Sequence, residues 1–132
     1  MIEFVEVKSE DVSELAGLAS DIWHEYWTCI LSDEQIDYMV DKFQSERAII
    51  EQMYNENYVY FYIVLDGMKI GYTGLSRKSN YLFLSKLYIK KACRHMGVGT
   101  KSFGFIKKFA KNNGYDKIGL TVNKYNKNTI DA

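Results

Sequence analysis

The 132-residue sequence contains no proline, only two cysteines and only two histidines. No Pro/Gly/Ser-rich tract divides it, so one compact domain is expected, and that length can bury a sizeable core. Apolar runs are only a few residues long, which excludes a transmembrane helix, since a span needs about 20 such residues. The opening residues, MIEFVEVKSED, alternate and carry acids where a secretory leader would place an apolar stretch. Cys29 and Cys93 therefore read as reduced thiols of a cytoplasmic protein, not as a disulfide framework. Neither they nor His24 and His95 stand at ligand spacing, so no metal site is expected.

Basic residues are scarce in the first half. Residues 1–66 carry three (Lys8, Lys42, Arg47) against fifteen acids, whereas residues 67–132 carry fourteen against Asp116 and Asp131. The net charge of zero hides this split. It fits a second half that meets an anionic ligand and a first half that meets a neutral or cationic one. It fits equally two solvated faces that attract each other. Nucleic acid is disfavoured, because the domain as a whole is not basic.

The pattern of residues 2–7 suits a strand. Asp11 or Ser9 then caps a helix to about Tyr26, with Leu15, Leu18, Ala19, Ile22 and Tyr26 at helical spacing. Ser32 with Gln35 is a capping box opening a helix through Phe43. A third helical stretch follows Ser45. Period-two segments at 58–65, 69–77 and 81–89, joined at Asp66-Gly67 and Ser79-Asn80, predict an antiparallel meander. A helix over about 99–113 ends at Gly114. A strand at 117–122 should run parallel to 81–89, and Asn126 suits the cap of a final helix. The fold class is α/β: a mixed sheet with a meander, a splayed parallel pair and flanking helices.

Between the strand at 81–89 and its helix lies Arg94-His95-Met96-Gly97-Val98-Gly99-Thr100, an R-x-x-G-x-G pattern. Glycines let backbone N–H groups approach an anion without Cβ interference. The helix start adds unpaired donors and the positive dipole end, and Lys90, Lys91, Arg94 and Lys101 add full charges. The loop suits a pyrophosphate. A dinucleotide fingerprint fails because Ser102 stands where its third glycine belongs; a P-loop fails at His95 and Thr100.

The run from Leu82 through Ile89, followed by Arg94-x-x-Gly97-x-Gly99, resembles motif A of the GNAT superfamily of acetyl-CoA-dependent N-acetyltransferases. The upstream order of elements and the downstream Leu120-Thr-Val-Asn123…Asn126 match as well. The resemblance spans essentially the whole chain and implies acetyl-CoA as cosubstrate. It implies that backbone groups of Leu87 and Ile89, with Tyr88 between them, bond the pantetheine arm. Amides from His95 through Thr100 (His95, Met96, Gly97, Val98, Gly99, Thr100) would hold the pyrophosphate beside Arg94, and Asn126 would contact the pantetheine side.

Family members usually continue past Asn126 through a helix with a tyrosine seven residues on, the usual acid for the thiolate, and then two more strands. This sequence stops at Ala132, so the expectation is a fold incomplete at its C-terminus. Its last strand would then be an exposed edge suited to a homodimer.

The implied reaction is attack of a neutral amine on the thioester, with a base to remove the ammonium proton. Residues 81–89 hold no Asp or Glu, only Ser85 and Lys86, so Glu25, through a water relay, is the expected base; a solvated helix charge is the competing reading. Trp23, Tyr26 and Trp27 share a helix face and, with Tyr72, are expected to wall the acceptor site through cation–π contacts. Core packing is the other explanation of that stripe. The acceptor is a small-molecule or peptide primary amine, with no nucleic acid or membrane involved. Two rival readings are a catalytically silent acyl-CoA-binding module and an interaction subunit that completes its sheet with a partner.

Overall fold

The structure, a computed structural model, describes residues 2–27, 30–94 and 97–120. Strand β1 (Ile2–Glu6) leads through a single 3-10 turn at Ser9–Asp11 into helix α1 (Val12–Trp27). That turn stands where a cap at Ser9 or Asp11 was expected. Helices α2 (Asp33–Phe43) and α3 (Glu46–Asn55) follow, then strands β2 (Tyr58–Leu65), β3 (Met68–Arg77) and β4 (Leu82–Ile89). Helix α4 (Val98–Asn112) and strand β5 (Ile118–Leu120) complete the described elements.

Local chemistry sets these boundaries. The Ser32 hydroxyl accepts from the Gln35 amide and the Gln35 side chain accepts from the Ser32 amide, closing the capping box. The β2–β3 turn places Asp66 at φ 51° and Gly67 at φ 85°, as a type I′ turn requires. Past α4, the Tyr115 amide bonds the Ala110 carbonyl and the Gly114 amide bonds that of Lys111, a Schellman closure.

The sheet order is β1-β2-β3-β4-β5, antiparallel except for the parallel β4–β5 pair. Helices cover both faces. On one face, Leu15, Ile22, Trp23, Ile36 and Ile49 from α1–α3 pack with Tyr60, Tyr72 and Tyr88. On the other, Val98, Ile106 and Ala110 of α4 pack with Leu82, Leu84, Leu87 and Ile89. Each fully buried Leu or Ile contributes roughly 1.5–3 kcal/mol relative to exposure.

One irregularity positions the site. Gly74 of β3 pairs with Lys86 and Leu75 with Leu84, so Ser85 is the extra residue of a β-bulge. Leu82 and Leu84 face α4, yet Lys86 and Tyr88 face the α1–α3 layer. The inserted residue reverses the alternation. The described part of β5 pairs only with Leu82–Leu84, below the bulge. Residues 121 and 122 of the expected last strand, the final helix capped by Asn126, and Cys29 lie outside the described residues; the edge on which a homodimer was expected rests largely on that segment. Among the described residues no helix is long and apolar enough to cross a membrane.

Gly71 holds the upper half of β4 close. A Cβ there would lie 2.4 Å from the Tyr88 carbonyl oxygen, a backbone atom with no freedom to retreat. Gly71→Ala is expected to destabilise the domain by about 1–3 kcal/mol, read as a lowered midpoint in urea or thermal unfolding.

Candidate functional site

Two regions meet along β4. The first is its upper edge and the loop that follows. The Lys90 amide bonds the Ile70 carbonyl of β3, and antiparallel alternation then directs the polar backbone groups of Tyr88 toward β3 and those of Leu87 and Ile89 away from it. Those two residues thus offer main-chain donors and acceptors on the side where β5 lies. The Ile89 carbonyl already accepts from Arg94 Nε at 3.2 Å, leaving, among the described residues, the Ile89 N–H and both groups of Leu87 for an extended ligand.

Beyond a 3-10 turn at Lys91–Cys93, Gly97 caps α4 in the left-handed region at φ 76°, with no side-chain cap. The amides of Val98, Gly99 and Thr100 are those an α-helix leaves without an intrahelical acceptor. A Cβ at Gly97 would meet nothing within 4 Å: the approach to the helix end is open, and what demands glycine is the backbone angle. Arg94 lies with its guanidinium carbon 3.8 Å from the Tyr26 ring centroid. Among the described residues its Nη2 is buried without a hydrogen-bond partner. His95, Met96 and Asn126 lie outside the described residues.

The second region is a cavity of about 450 Å³ between the α2–α3 pair and β4. Trp23, Tyr58, Gln52 and Tyr88 form walls, Ser85 and Lys86 enter from the bulge, and Lys42, Glu51 and Glu56 also line it. Of the aromatic residues expected around an acceptor, only Trp23 reaches this cavity. Tyr26 lies under Arg94 and meets Tyr88 edge-on at 5.4 Å. Trp27 is in the core against Trp23. Tyr72 is fully buried, its hydroxyl accepting from Trp23 Nε1 and donating to Gln44 Oε1. Trp27 of the stripe and Tyr72 of β3 are thus both packed in the core.

Glu25 is brought to the loop and not to the cavity. Its Oε1 accepts from the Lys91 amide at 2.9 Å, so the carboxylate ties the end of α1 to the segment preceding Arg94.

The sequence profile of the Acetyltransferase (GNAT) family matches residues 19–132. The chain belongs to the GNAT acetyltransferase family.

Solved structures share this GNAT fold at low sequence identity. PaiA N-acetyltransferase from Thermoplasma acidophilum, in complex with coenzyme A, is 22% identical with a TM-score of 0.81, covering 99% of this chain and 84% of its own. A predicted acetyltransferase from Clostridium acetobutylicum, solved with acetyl-CoA, is 15% identical at TM-score 0.70, over 99% and 87%. An aminoglycoside acetyltransferase from an uncultured soil metagenomic sample, in complex with sisomicin, is 11% identical at TM-score 0.68, over 98% and 83%. No curated protein sequence matches this one.

GNAT acetyltransferases use acetyl-CoA. Lys86 is the polar residue that sequence reasoning passed over as a functional group. Its Nζ, inside the α1–α3 face, donates to the Phe43 carbonyl (2.8 Å), Gln52 Oε1 (2.9 Å) and the Tyr60 hydroxyl (2.5 Å). Burial holds it down to about 7, with Glu56 pulling the other way. The only signal in the sequence was a lysine within a strand otherwise rich in apolar residues.

His24 does not reach the cavity lining; it joins α1 to α2. Nδ1 lies 2.7 Å from the Ser20 carbonyl and Nε2 lies 2.9 Å from Asp37 Oδ1. Only a protonated ring donates to both. The Ser20 bond, with Asp37 adding to it, raises His24 above its ordinary 6.5. Its contribution to stability is therefore complete below pH 6.5 and lost as pH rises through the higher folded value. Asp37→Asn should lower the His24 midpoint in an NMR titration; an unchanged midpoint would remove Asp37 as a partner.

Proposed function

We propose that this chain transfers an acetyl group from acetyl-CoA to a primary amine of a small molecule or peptide. The observation that carries the reading is the double use of β4. Leu87 and Ile89 aim backbone groups away from β3, while Lys86 and Tyr88, on the α1–α3 face, line a cavity large enough for an amine-bearing group. A thioester held along the first would stand beside an acceptor held in the second.

The chain's residues then divide the work. Val98, Gly99 and Thr100 offer amides, and Arg94 its Nη2, to the diphosphate. The Ile89 N–H and the backbone groups of Leu87 align the pantetheine arm as an added strand would, and N–H donors of this stretch polarise the thioester carbonyl. Glu25 keeps the loop in register through the Lys91 amide. In the cavity, Glu51 and Glu56 favour a cationic acceptor and the rings of Trp23 and Tyr58 suit its ammonium group. The sisomicin complex of the aminoglycoside acetyltransferase lends support to a small-molecule amine. Localisation in the cytoplasm completes this reading.

Calorimetry with acetyl-CoA and thiol detection of CoA release over a panel of amines test it together. Binding plus turnover on at least one amine is expected. Tight binding with no turnover on any amine would favour a silent acyl-CoA-binding module instead.

Gly97→Glu puts a side chain into a left-handed position and a negative charge at the helix start. It should raise the acetyl-CoA Kd at least about tenfold, equivalent to about 1.4 kcal/mol. An unchanged Kd would remove the diphosphate from this loop.

A further inference from the structure

We propose that Lys86 is the base that takes the proton from the acceptor's ammonium group. The assignment rests on the acetyltransferase reading above and gives it the base that no carboxylate of β4 supplies.

Position comes first. Ser85 as the bulge residue turns Lys86 out of the α4 face and onto the cavity, where an acceptor nitrogen would lie beside it or one water away. The ion pairs among the described residues include none at Lys86. Its three partners are a carbonyl, an amide oxygen and a phenol, all uncharged. The charged groups facing it are Lys42 of α2, Glu51 of α3 and Glu56 at the end of α3, all solvent-exposed. The titratable neighbours on β2 and β4 are Tyr58, Tyr60 and Tyr88, with Tyr72 behind them on β3; burial raises Tyr58, Tyr60 and Tyr72, so these stay neutral. From α1 comes the uncharged Trp23.

The same network accepts either protonation state. As an ammonium, Lys86 donates three hydrogens to Phe43, Gln52 and Tyr60, and the Tyr60 hydroxyl donates to Gln52 Oε1. As a free amine it keeps two donors for Phe43 and Gln52, and its lone pair takes the Tyr60 hydrogen. Reversing one hydroxyl accommodates the proton. Burial brings this exchange to about 7, close to where a base works best.

The step balances. As the Tyr60 hydroxyl turns from Lys86 to Gln52 Oε1, the freed lone pair of the neutral Lys86 amine takes one proton from R–NH3+, giving R–NH2 and the Lys86 ammonium. The freed lone pair forms the N–C bond to the acetyl carbon, the C–S bond breaks, and the departing thiolate takes up the second nitrogen-bound proton. Lys86 then returns its proton to solvent.

Two measurements on the full chain test this. Lysine labelled with 13C at Cε should show one signal, absent in Lys86→Arg, that titrates near pH 7. A Lys86 signal titrating with the rest overturns the proposal whether or not the chain is active. In steady-state assays, wild-type kcat/KM should rise through a midpoint near pH 7. Lys86→Arg keeps a cation at the Phe43 carbonyl, so a merely structural role would survive it. With its acetyl-CoA Kd unchanged, it should lose at least about a hundredfold at pH 7.5 and follow the acceptor's own ionisation. A variant that keeps the wild-type rate and profile, or a stable acetyl adduct on wild-type Lys86 by mass spectrometry, overturns the assignment alone. A wild-type chain that transfers to no amine overturns the acetyltransferase reading and the base with it.

Discussion

At Ser85, β4 places two residues opposite one of β3, and the Ser85 hydroxyl meets the Tyr58 hydroxyl at 2.6 Å. Below this bulge the strand is ordinary sheet, bonded on both sides and packing Leu82 and Leu84 under α4. Above it the side chains change faces. Without the bulge, in an unbroken register of the same sequence, Lys86 would follow the two leucines into the α4 core, where an ammonium has no partners and its burial costs several kcal/mol. With it, the lysine finds three acceptors and a cavity. One inserted residue thus settles where the polar chemistry of the sheet can sit.

The two halves of the site are also mechanically joined. Arg94 lies on Tyr26, Tyr26 meets Tyr88, and Tyr88 packs against Trp23 at 5.5 Å, with both Tyr88 and Trp23 at the cavity. Glu25, one residue before Tyr26, holds the Lys91 amide. The last turns of α1 therefore brace the loop before α4 on one side and the cavity on the other. The strong acid–base asymmetry of the sequence maps onto this arrangement: Glu51 and Glu56 at the cavity, and Lys90, Lys91, Arg94 and Lys101 around the start of α4. The cavity lining also holds Lys42 and Lys86, so the split is clear only around the start of α4.

Much of the scaffold was legible because its signals are local. The Ser32–Gln35 box, the Asp66-Gly67 turn and the closure at Gly114 each depend on a few adjacent residues, and each formed as expected. The Gly97 turn before α4 was legible for the same reason. The bulge was not, since Leu82, Leu84 and Lys86 stand at an unbroken period of two and nothing local marks the extra residue. The aromatic stripe is a different case: helical spacing places Trp23, Tyr26 and Trp27 on one face but cannot say which of them meets a cavity, a guanidinium or the core. Glu25 was placed correctly on α1, while its Lys91 partner, 66 residues away, is a tertiary contact with no sequence signature.

The central claim is that the upper half of β4 and the first turn of α4 jointly receive the acetyl carrier through main-chain N–H groups. Residue-resolved hydrogen exchange with and without acetyl-CoA reads those groups directly. The account predicts slowed exchange at the amides of Leu87, Ile89, Val98 and Gly99, with Tyr88, already bonded to β3, unchanged. Protection confined to other segments, with these four exchanging as in the free chain, would contradict it.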